Sequence, residues 1–194
     1  MVNFSDEGSI KWSRSNSRKR VWRRPNERFA DVNIQEVNRY GGGSVMIWGM
    51  VARNYKSDVV VVEGNMNGQR YLQNVVTPIV IPRSQQIGAT FTFMQDNAPC
   101  HRSRLVKTAL ADANITLLDW PAMSPDCNPI EHVWAELKRR LNQRDPPPTT
   151  VVQLRQAATD VWNDVPLRFI NNLIDSMKSR IQAVITSQGG HTKY

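Results

Sequence analysis

Phe91-Thr92-Phe93-Met94-Gln95-Asp96 is a short run of apolar and β-favouring residues that ends on an acid. It predicts a strand over residues 91–95 that delivers Asp96 at its C-terminal end. The period then changes. Leu105, Val106, Ala109 and Leu110 recur at helical spacing, so residues 102–113 read as a helix and residues 115–118 as a brief strand after it.

Working upstream, residues 2–4 form another short apolar run, which stops at Ser5-Asp6-Glu7-Gly8 and so sets Asp6 at a strand end as well. After the Gly41-Gly42-Gly43 turn, residues 44–52 read as a mostly apolar strand. Residues 58–63, with four consecutive valines, read as its hairpin partner, buried on both faces. Asn67 is placed to cap a helix carrying Tyr71, Leu72, Val75 and Val76 on one side, which Pro78 bends or ends.

Downstream, Ile130, Val133, Trp134, Leu137 and Leu141 define one face of an amphipathic helix that Pro146-Pro147-Pro148 stops. Two more helical patterns follow, over residues 151–162 and 167–185. Strands come first, then strands alternating with helices, then helices. The expected fold class is α/β, a mixed sheet with a C-terminal helical tail. The expected division is a core over residues 1–145 and a helical extension over residues 146–194 packed on it.

A chain of 194 residues, 40% of them hydrophobic, can bury one sizeable core. Its 25 Lys and Arg against 17 Asp and Glu give a net charge of +8, and the sequence pI is near 9.9. That imbalance favours a polyanionic partner. The charge is densest over residues 11–28, where Arg14, Arg18, Lys19, Arg20, Arg23 and Arg24 surround Trp12 and Trp22. This stretch reads as a basic arm for DNA phosphates, or equally as a solvated loop or nuclear-localisation run.

Cys100 and Cys127 are far apart and match neither a zinc ribbon nor a disulfide framework. No apolar run approaches the roughly 20 residues of a membrane span, and the N-terminus is polar within a few residues. A soluble, intracellular protein without a membrane partner is expected.

Asp6 and Asp96 therefore stand at strand ends, where open α/β sheets keep their ligand crevice. Glu131 enters on a helix thirty-four residues after Asp96. Carboxylate oxygens suit hard cations such as Mg²⁺ or Mn²⁺. Each acid also has an innocent reading: Asp6 as a strand terminator, Asp96 beside Asn97 as a turn, and Glu131 as the third residue of a helix capped by Asn128 and opened by Pro129.

Three segments decide between these readings. Phe4-Ser5-Asp6-Glu7, Gln95-Asp96-Asn97-Ala98-Pro99-Cys100-His101 and the stretch from Trp120 through Ser124-Pro125-Asp126-Cys127-Asn128-Pro129-Ile130-Glu131-His132-Val133-Trp134 closely resemble the catalytic motifs of Tc/mariner transposases. Val21-Trp22-Arg23-Arg24-Pro25 and Gly41 to Gly49 extend the resemblance, which runs in order to about Arg140.

The resemblance implies a ribonuclease-H-like fold, a five-stranded mixed sheet flanked by helices, with Asp6, Asp96 and Glu131 as the acidic triad. It implies two divalent ions, Mg²⁺ or Mn²⁺, about 3.5–4 Å apart, one activating water or a 3′-hydroxyl and one stabilising the leaving oxygen. It further implies double-stranded DNA as partner, TA target sites, a homodimer assembled on DNA and a nuclear location. The spacing with Glu last looks like the Tc branch, and Asp126 is then a motif residue outside the metal set.

There are departures from the family pattern. Its N-terminal paired helix-turn-helix module has no match in these residues, Cys127 replaces a Leu, and Gly8 stands where Ser or Thr is usual; the last two touch packing more than chemistry. His101 and Asn97 are candidates for positioning a phosphate, with a buried, hydrogen-bonded histidine as the alternative reading of His101. Lys138, seven residues after Glu131 on one helical face, is a candidate DNA contact, whereas Arg139, Arg140 and Arg144 read equally as a solvated face. The rival functions are a transposase remnant that binds DNA or a protein without cutting, and a stand-alone nuclease of the ribonuclease H type.

Overall fold

The computed structural model describes residues 1–11, 44–121 and 127–187. Strand β1 (Val2–Lys11) runs antiparallel to β2 (Ser44–Ala52) and parallel to β5 (Thr92–Met94). The order across the mixed sheet is β3-β2-β1-β5-β6, where β3 is Tyr55–Lys56 and β6 is Thr116–Leu117, and β4 (Val60–Val62) also pairs with β2.

Among the described residues the sheet has six strands in five ranks, the expected five with one edge in two pieces, β3 and β4. The break lies at Ser57. Its backbone N–H still donates to the Met50 oxygen at 2.8 Å, but its hydroxyl takes the Met50 N–H at 3.0 Å, so a side chain stands in for a backbone acceptor.

Two sequence expectations change here. The apolar run at 2–4 is only the start of β1, and Asp6 lies within the strand. Pairing with β2 continues from Phe4↔Val51 to Lys11↔Ser44 and supplies the partners that the polar residues could not announce. The valine strand is an edge strand, half-buried at Val59, Val60 and Val61, because nothing covers its outer rim among the described residues.

Asn67 caps α1 (Gly68–Tyr71) by accepting from the Arg70 N–H at 2.9 Å. Pro78 does not end this helix. The chain continues through a π-helical stretch, Leu72–Val80, into α2 (Ile81–Ile87), since the wider turn tolerates a residue without an N–H.

Further along come α3 (Arg104–Asp112), α4 (Pro129–Asn142) and α5 (Val151–Asp164). The last helical pattern is two helices, α6 (Leu167–Asp175) and α7 (Met177–Thr186). At their junction the Ser176 hydroxyl bonds the Leu173 carbonyl and accepts from Arg180 Nε, which favours a break over an unbroken ladder.

The sheet separates two cores. On one face Trp48, Met50, Tyr71, Val75, Val76, Phe93, Val106 and Leu110 pack together; on the other Ile47, Ile130, Trp134, Leu137, Ala158, Trp162 and Ile170 do. The second core is made possible by two glycines. A Cβ at Gly8 would lie 2.8 Å from the Trp134 ring, and one at Gly49 would lie 2.7 Å from Trp162. Only hydrogen at these strand positions lets the two indoles, 5.1 Å apart, lie down on the sheet.

The C-terminal helices are bound to this core. Trp162 Nε1 donates to the Ser57 carbonyl at 2.8 Å. Lys56 Nζ donates to the carbonyls of Trp162, Asn163 and Val165 at 2.7, 2.6 and 2.8 Å, placing a cation at the negative end of α5.

Candidate functional site

The parallel register brings the first two acids together. Val2 pairs with Thr92, Asn3 with Phe93 and Phe4 with Met94, a constant offset of 90. Carried two residues further, that offset aligns Asp6 with Asp96, just past the point where the pairing of β1 with β5 ends.

The third acid is brought in by a cap. Asn128, 4% exposed, accepts from the Ile130 N–H at 3.3 Å and so opens α4, while its amide Nδ2 donates to the Ser5 carbonyl at 3.4 Å. One side chain therefore starts the helix and ties that start to β1 beside Asp6. Glu131 sits in the first turn, where a capping box would turn its carboxyl back to Asn128. Instead it interacts with Asp6 and raises that acid's pKa.

The electrostatics follow from that contact. Burial, the hydrogen bond with Glu131 and repulsion from Glu131 and Glu7 push Asp6 up to about 8 from its ordinary 3.8, although the Glu7 N–H donates to its Oδ1 at 2.8 Å. Asp6 is therefore held toward its protonated form.

Asp96 is held in the opposite way. His101 Nδ1 lies 2.7 Å from Asp96 Oδ1, and the Ala98 N–H donates to the same oxygen at 2.9 Å. The hydrogen bond from His101 lowers the Asp96 pKa against the opposing effect of burial. Among the described residues no donor reaches Oδ2.

His101 is only 3% exposed and bridges two carboxylates, because Nε2 lies 3.1 Å from Glu7 Oε1. Burial alone would lower its pKa, but the hydrogen bonds to Asp96 and Glu7 outweigh burial and raise it to about 10. Contact with Asp96 on one side and Glu7 on the other thus favours the protonated ring. Tyr71 packs on it with centroids 4.3 Å apart and donates its hydroxyl to Gln95 Oε1 at 2.9 Å.

Beside Asp96 opens a groove of about 310 Å³, lined among others by Asn97, Arg102, Lys107, Asp119 and Trp120. Lys138 is exposed on α4, one face with Glu131. Its neighbours are paired: Arg139 and Arg140 each lie 2.7 Å from Glu136, and Arg144 lies 3.1 Å from Asp160. Those three arginines serve the helical surface.

Of the two readings of His101, the geometry favours the buried, hydrogen-bonded histidine over a phosphate contact, since its ring is interior and both nitrogens are engaged. The candidate DNA residues Arg14, Arg18, Lys19, Arg20, Arg23 and Arg24 lie outside the described residues, as does Asp126. Sequence reasoning passed over Glu7 and Tyr71. Glu7 adjoins Asp6 in the quoted motif, but its partner is 94 residues away.

The sequence pattern of the DDE superfamily endonucleases matches residues 1–152. The Tc1 transposase of Caenorhabditis elegans is 36% identical over 194 residues, covering 98% of this chain and 69% of the relative. The chain belongs to the DDE superfamily endonucleases, among the Tc/mariner transposases.

The crystal structure of the Mos1 mariner transposase catalytic domain shares the fold of this DDE domain, with a TM-score of 0.72 at 18% identity over 99% of this chain and 84% of that one. The Mos1 paired-end complex with Mn superposes at a TM-score of 0.73 and 20% identity, and this chain covers 56% of it. The transposase fold and the ribonuclease-H-like expectation therefore agree.

Proposed function

We propose that this chain is the catalytic domain of a cut-and-paste DNA transposase, in which Asp6, Asp96 and Glu131 bind two divalent ions, Mg²⁺ or Mn²⁺. The observation that carries the reading is the meeting of Asp6 with Glu131 beside the Asp96 register. Burial and Glu131 together hold Asp6 toward its protonated form, a position that suits a divalent cation, and all the donors are hard oxygens. When bound, such ions activate water or a 3′-hydroxyl and stabilise the departing oxygen of an in-line phosphoryl displacement.

The protein's own work is positional. β1 and the turn after β5 present Asp6 and Asp96, Asn128 fixes the start of α4 against β1, and no side-chain nucleophile is needed. Lys138, Arg102 and Lys107 neutralise phosphates on either side of the acids. The basic stretch with Arg14, Arg18, Lys19, Arg20, Arg23 and Arg24 adds further phosphate contacts.

The reading extends to double-stranded DNA as substrate, transposon 3′ ends joined to TA targets, a homodimer formed on paired ends and action in the nucleus. Support comes from the family and from a structural neighbour solved as a paired-end complex with Mn. Residues 1–145 serve as the catalytic core and residues 146–194 as an extension packed on it.

The test is nicking of supercoiled plasmid with Mn²⁺ or Mg²⁺. The parent chain nicks only with the metal, and Asp96→Asn, still folded, does not, because an amide is a poorer metal ligand. Nicking by Asp96→Asn at the parent rate would remove the assignment.

A further inference from the structure

Around the acids lies a second set of polar groups to which the metal reading gives no part: Glu7, His101 and the fully buried Tyr71. Glu7 leaves β1 on the face opposite Asp6, as alternation along a strand requires. It reaches His101 Nε2 at 3.1 Å, while Nδ1 of the same ring reaches Asp96 at 2.7 Å. The ring is held in place, because Tyr71 packs against it at a tilt of 48° and is itself anchored to Gln95, the residue before Asp96.

Asp96, by contrast, is half-exposed, with its side chain 52% accessible. A carboxylate at a strand end with that much freedom has several rotamers of similar energy. The clamp acts on one oxygen only: His101 and the Ala98 N–H both take Oδ1, and Oδ2 is left.

We propose that Glu7 and His101 are positioning residues that lock the Asp96 carboxylate through Oδ1, keeping Oδ2 as the oxygen offered to a divalent cation. The proposal rests on the metal-binding reading above and adds Glu7 to the site. Partners one shell out from a metal ligand typically contribute 10–100-fold in affinity, by fixing the ligand before the metal arrives.

Glu7 and His101 have another conceivable use. With Cys100 they bring one ligand atom each to within 4.8 Å of one another, a set that a soft metal accepts. A metal there would take Nε2 from its hydrogen bond to Glu7, while Nδ1 would keep Asp96. Only the Glu7 end of the clamp and a Glu7-Cys100-His101 metal site are mutually exclusive.

The experiment is Mn²⁺ titration by calorimetry on the parent, Glu7→Ala, Glu7→Gln, His101→Ala and His101→Asn, each checked for folding by its urea midpoint. Glu7→Ala and His101→Ala should weaken Mn²⁺ binding about tenfold or more. Glu7→Gln keeps an acceptor for Nε2, and the amide nitrogen of His101→Asn falls near the place of Nδ1, so both should return to within about threefold of the parent.

Glu7→Ala that folds and binds Mn²⁺ as the parent does overturns the clamp and leaves the metal reading standing. A parent chain that binds no Mn²⁺ overturns both. A Co²⁺ titration completes the set: a thiolate charge-transfer band that disappears in Cys100→Ser would put the metal on Cys100 and His101 and overturn the part given to Glu7, whereas its absence is expected.

Discussion

The amide of Asn128 joins Ser5 to the first turn of α4, accepting from the Ile130 N–H and donating to the Ser5 carbonyl. The distance between a strand acid and a helix acid is thus set by one buried side chain between them. Asn128→Ala removes both bonds and should cost about 1–3 kcal/mol, as a lost cap plus an unmet buried contact. Asn128→Asp keeps the cap acceptor and should cost less. Urea midpoints measure both, and an Ala variant as stable as the parent would contradict the role of the tie.

Gly8→Ala and Gly49→Ala test how the indoles lie on the sheet. Each new methyl would meet a ring at 2.8 or 2.7 Å, so either change should destabilise by about 1–3 kcal/mol through overpacking. Trimming the ring relieves the first clash, so Gly8→Ala with Trp134→Phe should lose less than the two separate losses added together. Additive losses in a double-mutant cycle would show that the sheet shifts instead.

The facing acids make the metal-free chain pH-sensitive. Asp6 titrates at about 8 in the fold against an ordinary 3.8. A raised pKa contributes stability that is fully present below 3.8 and is lost as pH rises through about 8, because the folded state holds the proton longer than the unfolded one. The melting temperature of the metal-free chain should fall by roughly 5 °C or more between about pH 5 and about pH 9. Asp6→Asn should flatten that fall, and Mn²⁺ added at about pH 8 should restore the parent's stability by taking the proton's place. His101, raised from 6.5 to about 10, adds loss of the same sign as pH rises above 6.5, in the parent and in Asp6→Asn alike, so the difference between the two isolates the acid pair.

Lys138 is the exposed cation on α4 that does not pair with Glu136. Lys138→Ala should weaken binding to duplex DNA and lower the slope of log affinity against log salt by about 0.9, one phosphate's worth. Arg139→Ala should leave the slope unchanged. Fluorescence anisotropy across a salt series separates the two.

Lys56 tests the attachment of the C-terminal helices. Its ammonium meets three carbonyls at the end of α5, and Lys56→Met leaves them without that partner. A loss of about 2 kcal/mol is expected, read as a lower urea midpoint with an unchanged slope.

What the sequence determined on its own was local chemistry. Asn67 and Asn128 as caps, the strand leading to Asp96, the apolar face of α4 and the acid spacing are all set within a few residues, by hydrogen bonds and periodicity that the chain carries with it. The tertiary structure decided the rest, because the deciding partner lies far along the chain. β1 extends through Ser5, Asp6 and Glu7 only because β2 pairs with it, since alternating polar residues give no apolar signal. Pro78 is carried inside a helix by a π-helical register that side-chain spacing does not encode. Gly8 and Gly49 are needed only once Trp134 and Trp162 have packed against them. Most tellingly, His101 reads in sequence as either a phosphate-positioning residue or a buried, hydrogen-bonded histidine, and only folding closes it between Asp96 and Glu7, whose carboxyl oxygens fix its orientation.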